Sequence, residues 1–140
     1  MTDEKYDILK RYFGYDTFRE GQEQVIDELL SGRDVLGVMP TGAGKSLCYQ
    51  IPALIFPGIT LVISPLISLM KDQVRALNEA GVHAAYLNSS LTQGQYYKAL
   101  SLAVEGRYPI IYVAPERLLT DSFFSFAVNA DIAMVAVDEA

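Results

Sequence analysis

Residues Met39 to Ser46 read M-P-T-G-A-G-K-S and stand between an apolar run and a segment with a helical pattern. The run before them, Asp34 to Val38 (DVLGV), is short and apolar, which predicts a strand buried on both faces of a parallel sheet. Gly42 and Gly44 let the chain turn tightly, so that successive backbone N–H groups point into one concavity. At the start of a helix, unpaired amides and the helix dipole attract anions. The stretch is therefore predicted to be a phosphate-binding loop.

The chemistry of this loop is divided between backbone and side chains. Lys45 supplies a flexible positive charge for the β- and γ-phosphates of a nucleotide, and the Ser46 hydroxyl is a ligand for Mg²⁺. The pattern G-x-x-x-x-G-K-[ST] has Gly where this chain has Met39, so the match is partial. The alternative is an ordinary strand-to-helix turn with an exposed lysine. The residues expected to surround the phosphates are Thr41, Gly42, Ala43 and Gly44.

A second polar element follows the apolar run Ile132 to Val137 (IAMVAV), which predicts another buried strand. Asp138 and Glu139 come directly after it, at the strand end where open α/β sheets bind ligands. Adjacent acidic residues at a strand end are more often a solvated turn. In this order after a phosphate-binding loop, however, they favour a catalytic pair.

Composition limits the class of protein. The chain has 140 residues, enough for one domain, and a net charge of −6 that gives no long-range attraction for nucleic acid. The N-terminus is charged and no run is long enough to span a bilayer, so we expect a cytoplasmic protein with no membrane partner. The single Cys48 is predicted to be a small buried side chain, and His83 to be structural or on the surface. We expect no zinc site in this chain.

Apolar periodicity predicts alternating helices and strands along the whole chain. Such alternation favours an α/β fold with one doubly wound, mostly parallel sheet and helices on both faces. The predicted strands are Asp34 to Val38, Ile59 to Ile63, Val82 to Leu87, Pro109 to Ala114 and Ile132 to Val137. The predicted helices are Lys5 to Phe13, Arg19 to Leu30, Lys45 to Ile55, Leu66 to Ala80, a helix capped by Thr92 that runs to Val104, and short pieces within Glu116 to Ala127.

Taken together, these motifs resemble the first RecA-like domain of superfamily 2 helicases, a P-loop NTPase fold, and specifically the RecQ family of DNA helicases. The resemblance covers essentially the whole chain. It implies an ATP-dependent enzyme that unwinds duplex DNA in the 3′-to-5′ direction in DNA repair and recombination, with ATP and Mg²⁺ as cofactors. The motifs that carry it are FGYDTFREGQ (Phe13 to Gln22), VMPTGAGKSLCYQIPAL (Val38 to Leu54), VISPLISLMKDQV (Val62 to Val74), YVAPERL (Tyr112 to Leu118) and VDEA (Val137 to Ala140).

The resemblance also implies roles at the nucleotide. Gln22 looks like the glutamine that recognises adenine, and Tyr15 and Arg19 stand where the family packs around the ring. The alternative for Tyr15 is a core aromatic, and for Gln22 a solvated helix position. Asp138 resembles the carboxylate that holds Mg²⁺ together with Ser46, and Glu139 the base that deprotonates the attacking water; Lys45 completes the catalytic set.

Two further segments occupy positions where such helicases hold the backbone of single-stranded or duplex DNA. Hydroxyls and backbone N–H groups at strand ends can do this without reading sequence. A proline after a strand is also a good strand terminator, and that is the alternative. The expected DNA-binding residues are Ser64, Pro65, Leu66, Ser68, Pro115 and Arg117.

The sequence ends at Ala140, whereas the domain of the family continues beyond the acidic pair. The resemblance therefore implies a domain truncated after this pair, with a sheet that is incomplete at the C-terminus. The family's next strand is expected between the strands at Asp34 and Ile132, so we expect the chain to be an extract of a longer protein, or to self-associate or swap strands. The second RecA-like domain is the expected partner that closes the nucleotide site and supplies an arginine for hydrolysis and unwinding. Alone, it is expected to bind nucleotide without unwinding, in a bacterial cytosol or nucleoid. The alternatives are an inert nucleotide-binding or interaction fragment and a DEAD-box-like RNA helicase.

Overall fold

The computed structural model describes residues 4–35 and 45–137. The chain divides into two compact units, Met1–Phe56 and Pro57–Ala140. Each unit has its own cluster of buried apolar side chains among the described residues. We refer to them as the N-terminal unit and the sheet unit, and describe each by itself.

The N-terminal unit is helical over its described residues. Its elements are α1 (Glu4–Ile8), which continues as a π-helix (Leu9–Phe13), α2 (Gln22–Leu30) and α3 (Leu47–Ile55). The predicted helix Lys5 to Phe13 is therefore present, but its second half is a π-helix, whose hydrogen bonds join residues five apart and not four. Gly14 ends it with a φ of 76°, a conformation that glycine adopts without a Cβ clash. The buried cluster consists of Ile8, Leu9, Ile26 and Ile51.

Most of the predicted phosphate-binding region lies outside the described residues. This holds for the larger part of the predicted strand, residues 36–38, and for the loop residues 39–44. Asp34 and Val35 are described and belong to no strand. The predictions for Thr41, Gly42, Ala43 and Gly44 therefore stay predictions.

The sheet unit holds four parallel strands in the order β2-β3-β1-β4. Its elements in chain order are β1 (Ile59–Ile63), α4 (Ile67–Glu79), β2 (Ala84–Leu87), α5 (Gln93–Val104), β3 (Ile110–Val113), a 3₁₀-helix (Pro115–Leu119), α6 (Asp121–Asn129) and β4 (Ile132–Val137). An all-parallel sheet needs helical crossovers, and the pattern of alternating elements predicted them. The expected α/β fold is confirmed.

Consecutive residues of the two central strands are buried, which is the pattern of strands covered on both faces. One face carries the larger cluster, to which α5 contributes Tyr96 and Leu100, and α6 contributes Phe123 and Phe126. α4 buries Met70, Val74 and Leu77 along one stripe, as its apolar spacing predicted. Leu66 was placed on that stripe too, but it precedes the helix as its N-cap residue and is 46% exposed.

Two boundaries differ from the prediction for local reasons. β2 begins at Ala84 and not at Val82, because the Val82 N–H still bonds the Leu77 carbonyl and closes the end of α4. α2 begins at Gln22 and not at Arg19, because Gly21 has a φ of 86° and is not helical. The predicted cap at Thr92 is confirmed: its hydroxyl accepts the Gln95 N–H, and the Gln95 side chain accepts the Thr92 N–H.

The strand β4 is less buried than predicted. Its residues alternate between half-buried and exposed, with Val135 54% and Val137 62% exposed. β4 pairs with β1 on one side and is the last strand at that end of the sheet within the described residues. Because successive side chains of a strand point to opposite faces, the exposed residues Ala133, Val135 and Val137 share one face of β4.

Candidate nucleotide and nucleic-acid sites

Gln22, the predicted adenine-recognition residue, is the first residue of α2 and is 2% exposed. Its side-chain Oε1 accepts a hydrogen bond from the Arg19 backbone N–H at 2.7 Å, while its own N–H bonds the Arg19 carbonyl. The prediction that competed with adenine recognition, a solvated helix position, is therefore wrong. The first bond orients the carboxamide, and the second fixes the backbone at the start of α2. A carboxamide combines an acceptor oxygen with a donor nitrogen. That chemistry fits the hydrogen-bonding edge of an adenine.

Tyr15 lies just after the π-helix and is 52% exposed, so the alternative of a core aromatic is wrong. An exposed aromatic face in the same stretch of sequence as Gln22 can stack on a flat ring. Arg19 is also exposed. These three residues belong to one short stretch of the N-terminal unit, as the FGYDTFREGQ motif predicts.

α2 is held to α1 by a buried lysine. Lys5 is 4% exposed, and its ammonium bonds Asp27 and Glu23 of α2, the latter at 2.8 Å. Burial disfavours the charge, but the hydrogen bonds to Asp27 and Glu23 outweigh it and raise the pKa of Lys5. The hydrogen bonds from Lys5 and Tyr6 hold the pKa of Glu23 below its usual value. Because Glu23 follows Gln22 directly, this ion cluster also fixes the first turn of α2.

Lys45 and Ser46 form a turn that leads into α3. The Lys45 carbonyl accepts the Cys48 N–H, and the Ser46 carbonyl accepts the Gln50 N–H. Both side chains are half-buried and stand at the start of the helix, where an ammonium and a hydroxyl are suited to phosphate and Mg²⁺. Asp138 and Glu139, the predicted metal ligand and base, lie outside the described residues. Val137, the residue before them, ends β4 as predicted.

The predicted DNA-binding segments lie at the carboxyl edge of the sheet. The Ser64 N–H bonds the Val113 carbonyl and the Ala114 N–H bonds the Leu87 carbonyl, so the ends of β1, β3 and β2 are side by side. Ser64 itself is buried, and its hydroxyl accepts the Leu66 N–H at 3.3 Å, so it sets the turn through Pro65. The exposed members of the predicted set at this edge are Pro65, Leu66, Ser68 and Pro115.

Arg117 is the cation of this edge. It belongs to the 3₁₀-helix after β3, and its Nη2 donates to the Asn88 carbonyl at 3.3 Å. Its Nε has no hydrogen-bond partner among the described residues, and no carboxylate of that part of the chain forms an ion pair with it. A guanidinium has five N–H donors; Nε is buried here, so the other Nη donors and the charge are what Arg117 can offer an anion.

Two residues near Arg117 were not predicted from the sequence. Asn88, which directly follows the predicted strand Val82 to Leu87, is fully buried at the end of β2, and its backbone carbonyl accepts a hydrogen bond from Arg117. Tyr96 packs its ring against the guanidinium, with Arg117 Cζ 4.6 Å from the ring centroid. A buried Asn at the end of a parallel strand was a usable signal. Tyr96 gave none, because its position on α5 fits an ordinary core aromatic.

The remaining predictions concern single side chains. Cys48 is buried as predicted, and burial raises the pKa of its thiol. His83 lies on the surface. Residues 4–35 and 45–137 contain no group of three or more His, Cys, Asp or Glu that could hold a metal ion. No helix in those same ranges is long and apolar enough to cross a membrane.

Comparison with known proteins agrees with the motifs. The family model for the DEAD/DEAH box helicase matches residues 19–140. The chain belongs to the DEAD/DEAH box helicase family. Members of that family use ATP and Mg²⁺. The predicted resemblance to RecQ is confirmed: the chain is 53% identical over 133 residues to the ATP-dependent DNA helicase RecQ of Haemophilus influenzae, and 51% over 134 residues to that of Bacillus subtilis.

Each of these alignments covers 95% of this DEAD/DEAH helicase chain, but 22% and 23% of the respective relative. The chain therefore spans about a fifth of the length of the curated relatives it matches. A solved structure described as a hypothetical ATP-dependent RNA helicase from Sulfolobus tokodaii has a TM-score of 0.64 and 21% identity. The match covers 99% of this chain and 51% of the chain of that structure. The similarity supports the α/β fold.

Proposed function

We propose that the chain is the ATP-binding part of an ATP-dependent DNA helicase that unwinds duplex DNA in the 3′-to-5′ direction. The RecQ helicases of Haemophilus influenzae and Bacillus subtilis are more than half identical to it over nearly its whole length. We place it at the N-terminal part of the first RecA-like domain, with the acidic pair Asp138–Glu139 near its end. A second RecA-like domain would close the nucleotide site. Alone, the chain would bind nucleotide without unwinding.

The strand order carries the proposal. In the order β2-β3-β1-β4, the carboxyl ends of four parallel strands share one edge of the sheet. Arg117 follows β3, Ser64 follows β1 and Val137 ends β4 beside them. The strands β3 and β1 thus lead to the residues proposed to hold DNA. The next strand, β4, ends one residue before Asp138 in the sequence. Such a layout would couple the two ligands.

The residues fit ATP by their chemistry. Gln22 would pair with adenine while Tyr15 and Arg19 pack near the ring. Lys45 would bind the β- and γ-phosphates, with the amides of residues 41–44 around them. Ser46 and Asp138 would hold Mg²⁺, and Glu139 would take the proton of the attacking water. When bound, Mg-ATP supplies the phosphoryl transfer to water whose free energy drives unwinding.

The DNA contacts are expected at phosphates. Arg117 offers a guanidinium without a carboxylate partner in the described part of the chain, and the segment from Pro65 to Ser68 offers a hydroxyl and exposed backbone at the next strand end. Such contacts fix a strand without reading its sequence. We expect the protein to work where the DNA is, in the bacterial cytoplasm or nucleoid. The exposed edge of β4 would allow self-association or strand swapping when no neighbouring strand is present.

Calorimetry with Mg-ATP tests the nucleotide site. Gln22→Ala and Lys45→Ala are each expected to lower the affinity at least tenfold, because they remove the adenine contact and the phosphate charge. Gln24→Ala on the exposed face of α2 and Lys98→Ala on α5 are the matched controls and should bind as the unchanged chain does. Equal binding by all five proteins would contradict the assignment of the site.

A DEAD-box-like RNA helicase is the second candidate. A protein described as a putative ATP-dependent RNA helicase, from Acanthamoeba polyphaga mimivirus, is 39% identical over 136 residues. The nucleotide site would be the same, so ATP binding does not separate the two. Stimulation of ATP hydrolysis by single-stranded DNA or by RNA of the same sequence does.

A further inference from the structure

The guanidinium of Arg117 is held by neutral groups. Its Nη2 donates to the Asn88 carbonyl, and its Cζ lies over the Tyr96 ring, 4.6 Å from the ring centroid. The Asn88 carbonyl is fixed in turn, because the buried Asn88 side chain accepts from the Ser90 N–H at 2.9 Å and from the Ser90 hydroxyl. None of these groups cancels the charge. Arg117 is therefore oriented and remains cationic.

The Tyr96 ring is itself locked in place. Tyr96 is 3% exposed, and its Oη accepts from the Ser122 hydroxyl at 3.2 Å and lies 3.5 Å from Thr120 Oγ1. Thr120 caps α6 by accepting the Phe123 N–H, and its hydroxyl donates to the Arg117 carbonyl at 2.7 Å. One small polar cluster thus connects α5, α6 and the 3₁₀-helix that carries Arg117.

We propose that Tyr96 is the positioning residue for Arg117: its ring face holds the guanidinium in the orientation in which it meets a DNA phosphate. A free arginine side chain samples many rotamers, and each must be given up on binding. The ring makes that selection before DNA arrives, and it adds a cation–π contact without adding an opposing charge. This inference rests on the proposed DNA contact of Arg117.

The test is the affinity of the complete gene product for a fluorescent poly(dT) oligonucleotide, measured by anisotropy across a salt series. Arg117→Gln is expected to weaken binding and to reduce the slope of log K against log salt by about one. Tyr96→Leu is expected to weaken binding about threefold to tenfold, the range that corresponds to fixing one long side chain on binding. Tyr96→Phe keeps the ring and is expected to bind within about twofold of the unchanged protein.

A double variant tests whether the two residues act as one. Tyr96→Leu combined with Arg117→Gln is expected to bind no worse than Arg117→Gln alone, because the ring has no guanidinium left to hold. Phe124→Leu, on an exposed aromatic side chain of α6, is the control and is expected to leave affinity unchanged. Pentafluorophenylalanine at position 96 keeps the ring size but reverses the charge of its face, so it should weaken binding even if Tyr96→Leu does not fold.

The outcomes separate this inference from the proposed function. If Arg117→Gln weakens binding and neither Tyr96→Leu nor the fluorinated ring does, the DNA contact stands and the positioning role is wrong. Full additivity in the double variant would also overturn the positioning role. If Arg117→Gln changes neither affinity nor salt slope, the DNA contact at Arg117 is wrong and Tyr96 positions nothing for DNA.

Discussion

The N-terminal unit and the sheet unit differ in the contacts that stabilise each of them internally. In the N-terminal unit, four apolar side chains form the buried cluster and a buried lysine joins two helices through Glu23 and Asp27. In the sheet unit, ten buried apolar side chains form the cluster, and the ion pair seen in its described part, Arg107 with Glu105, is exposed. Charge therefore matters for the order of the unit that carries Gln22, and little for the sheet unit, which carries Arg117.

Replacing Leu61 by Ala is expected to have the largest effect. Leu61 is 5% exposed in the central strand β1 and belongs to the cluster of the sheet unit, so its loss should destabilise that unit by about 3 kcal/mol. Its register partner Val135 is the control, and Val135→Ala should cost about 1 kcal/mol or less. Urea denaturation with hydrogen exchange measures both. Equal losses of unfolding free energy in the two variants would show that β4 is buried in solution. They would contradict the difference in burial between β1 and β4.

Asn78 gives the next largest effect, without any charge. Its side chain donates to the Val74 and Ala84 carbonyls and accepts the Ala84 N–H, so it takes the place of a neighbouring strand at the start of β2. Asn78→Ala is expected to cost about 1 to 3 kcal/mol, independent of salt, because backbone groups of Ala84 lose their partners. Asn78→Asp keeps the acceptor and loses the two donors. Its thermal unfolding midpoint should therefore lie between those of the unchanged chain and Asn78→Ala. A neutral result for Asn78→Ala would mean that water satisfies Ala84.

Lys5 should give a smaller effect that depends on pH. The lowered pKa of Glu23 stabilises the folded N-terminal unit above about pH 4.3, the usual value, and that contribution is lost as the pH falls through the folded value. The raised pKa of Lys5 adds stability below about pH 10.4, lost as the pH rises through its folded value. Lys5→Met should flatten the stability profile in both windows.

Arg33→Met is the matched control for that experiment, because the pair of Arg33 with Glu28 is exposed on both sides. It should leave the profile unchanged, since exposed pairs contribute little. Denaturation midpoints from pH 3 to 11 would measure both variants. A profile for Lys5→Met that parallels the unchanged chain would show that the ion cluster does not stabilise the unit.

Local patterns predicted the elements well where side chain and backbone act together. The apolar run at Ile132 to Val137 gave the strand β4 with both ends correct, and the Thr92–Gln95 capping box gave the start of α5. The sequence did not predict the π-helix at Leu9–Phe13, because apolar residues four or five apart fit either winding. It overestimated the burial of β4, because an apolar run does not say how many neighbours a strand has.

The candidate sites were predictable in type but not in detail. The motifs singled out Gln22 and Arg117, which lie at the start of α2 and in the 3₁₀-helix after β3, while their roles stay predictions. The motifs did not predict that Oε1 of Gln22 bonds the Arg19 N–H. They also did not predict that Tyr96 and Asn88 contact Arg117. Tyr96 and Arg117 are far apart in the chain, so no local pattern connects them.

The most direct test of the central claim is the steady-state rate of ATP hydrolysis by the complete gene product, with single-stranded DNA, with RNA of the same sequence, and with neither. The account predicts hydrolysis that requires Mg²⁺, is stimulated at least tenfold by the DNA and much less by the RNA, and is abolished by Lys45→Ala. Hydrolysis that neither nucleic acid changes, or that survives Lys45→Ala at the same rate, would contradict it.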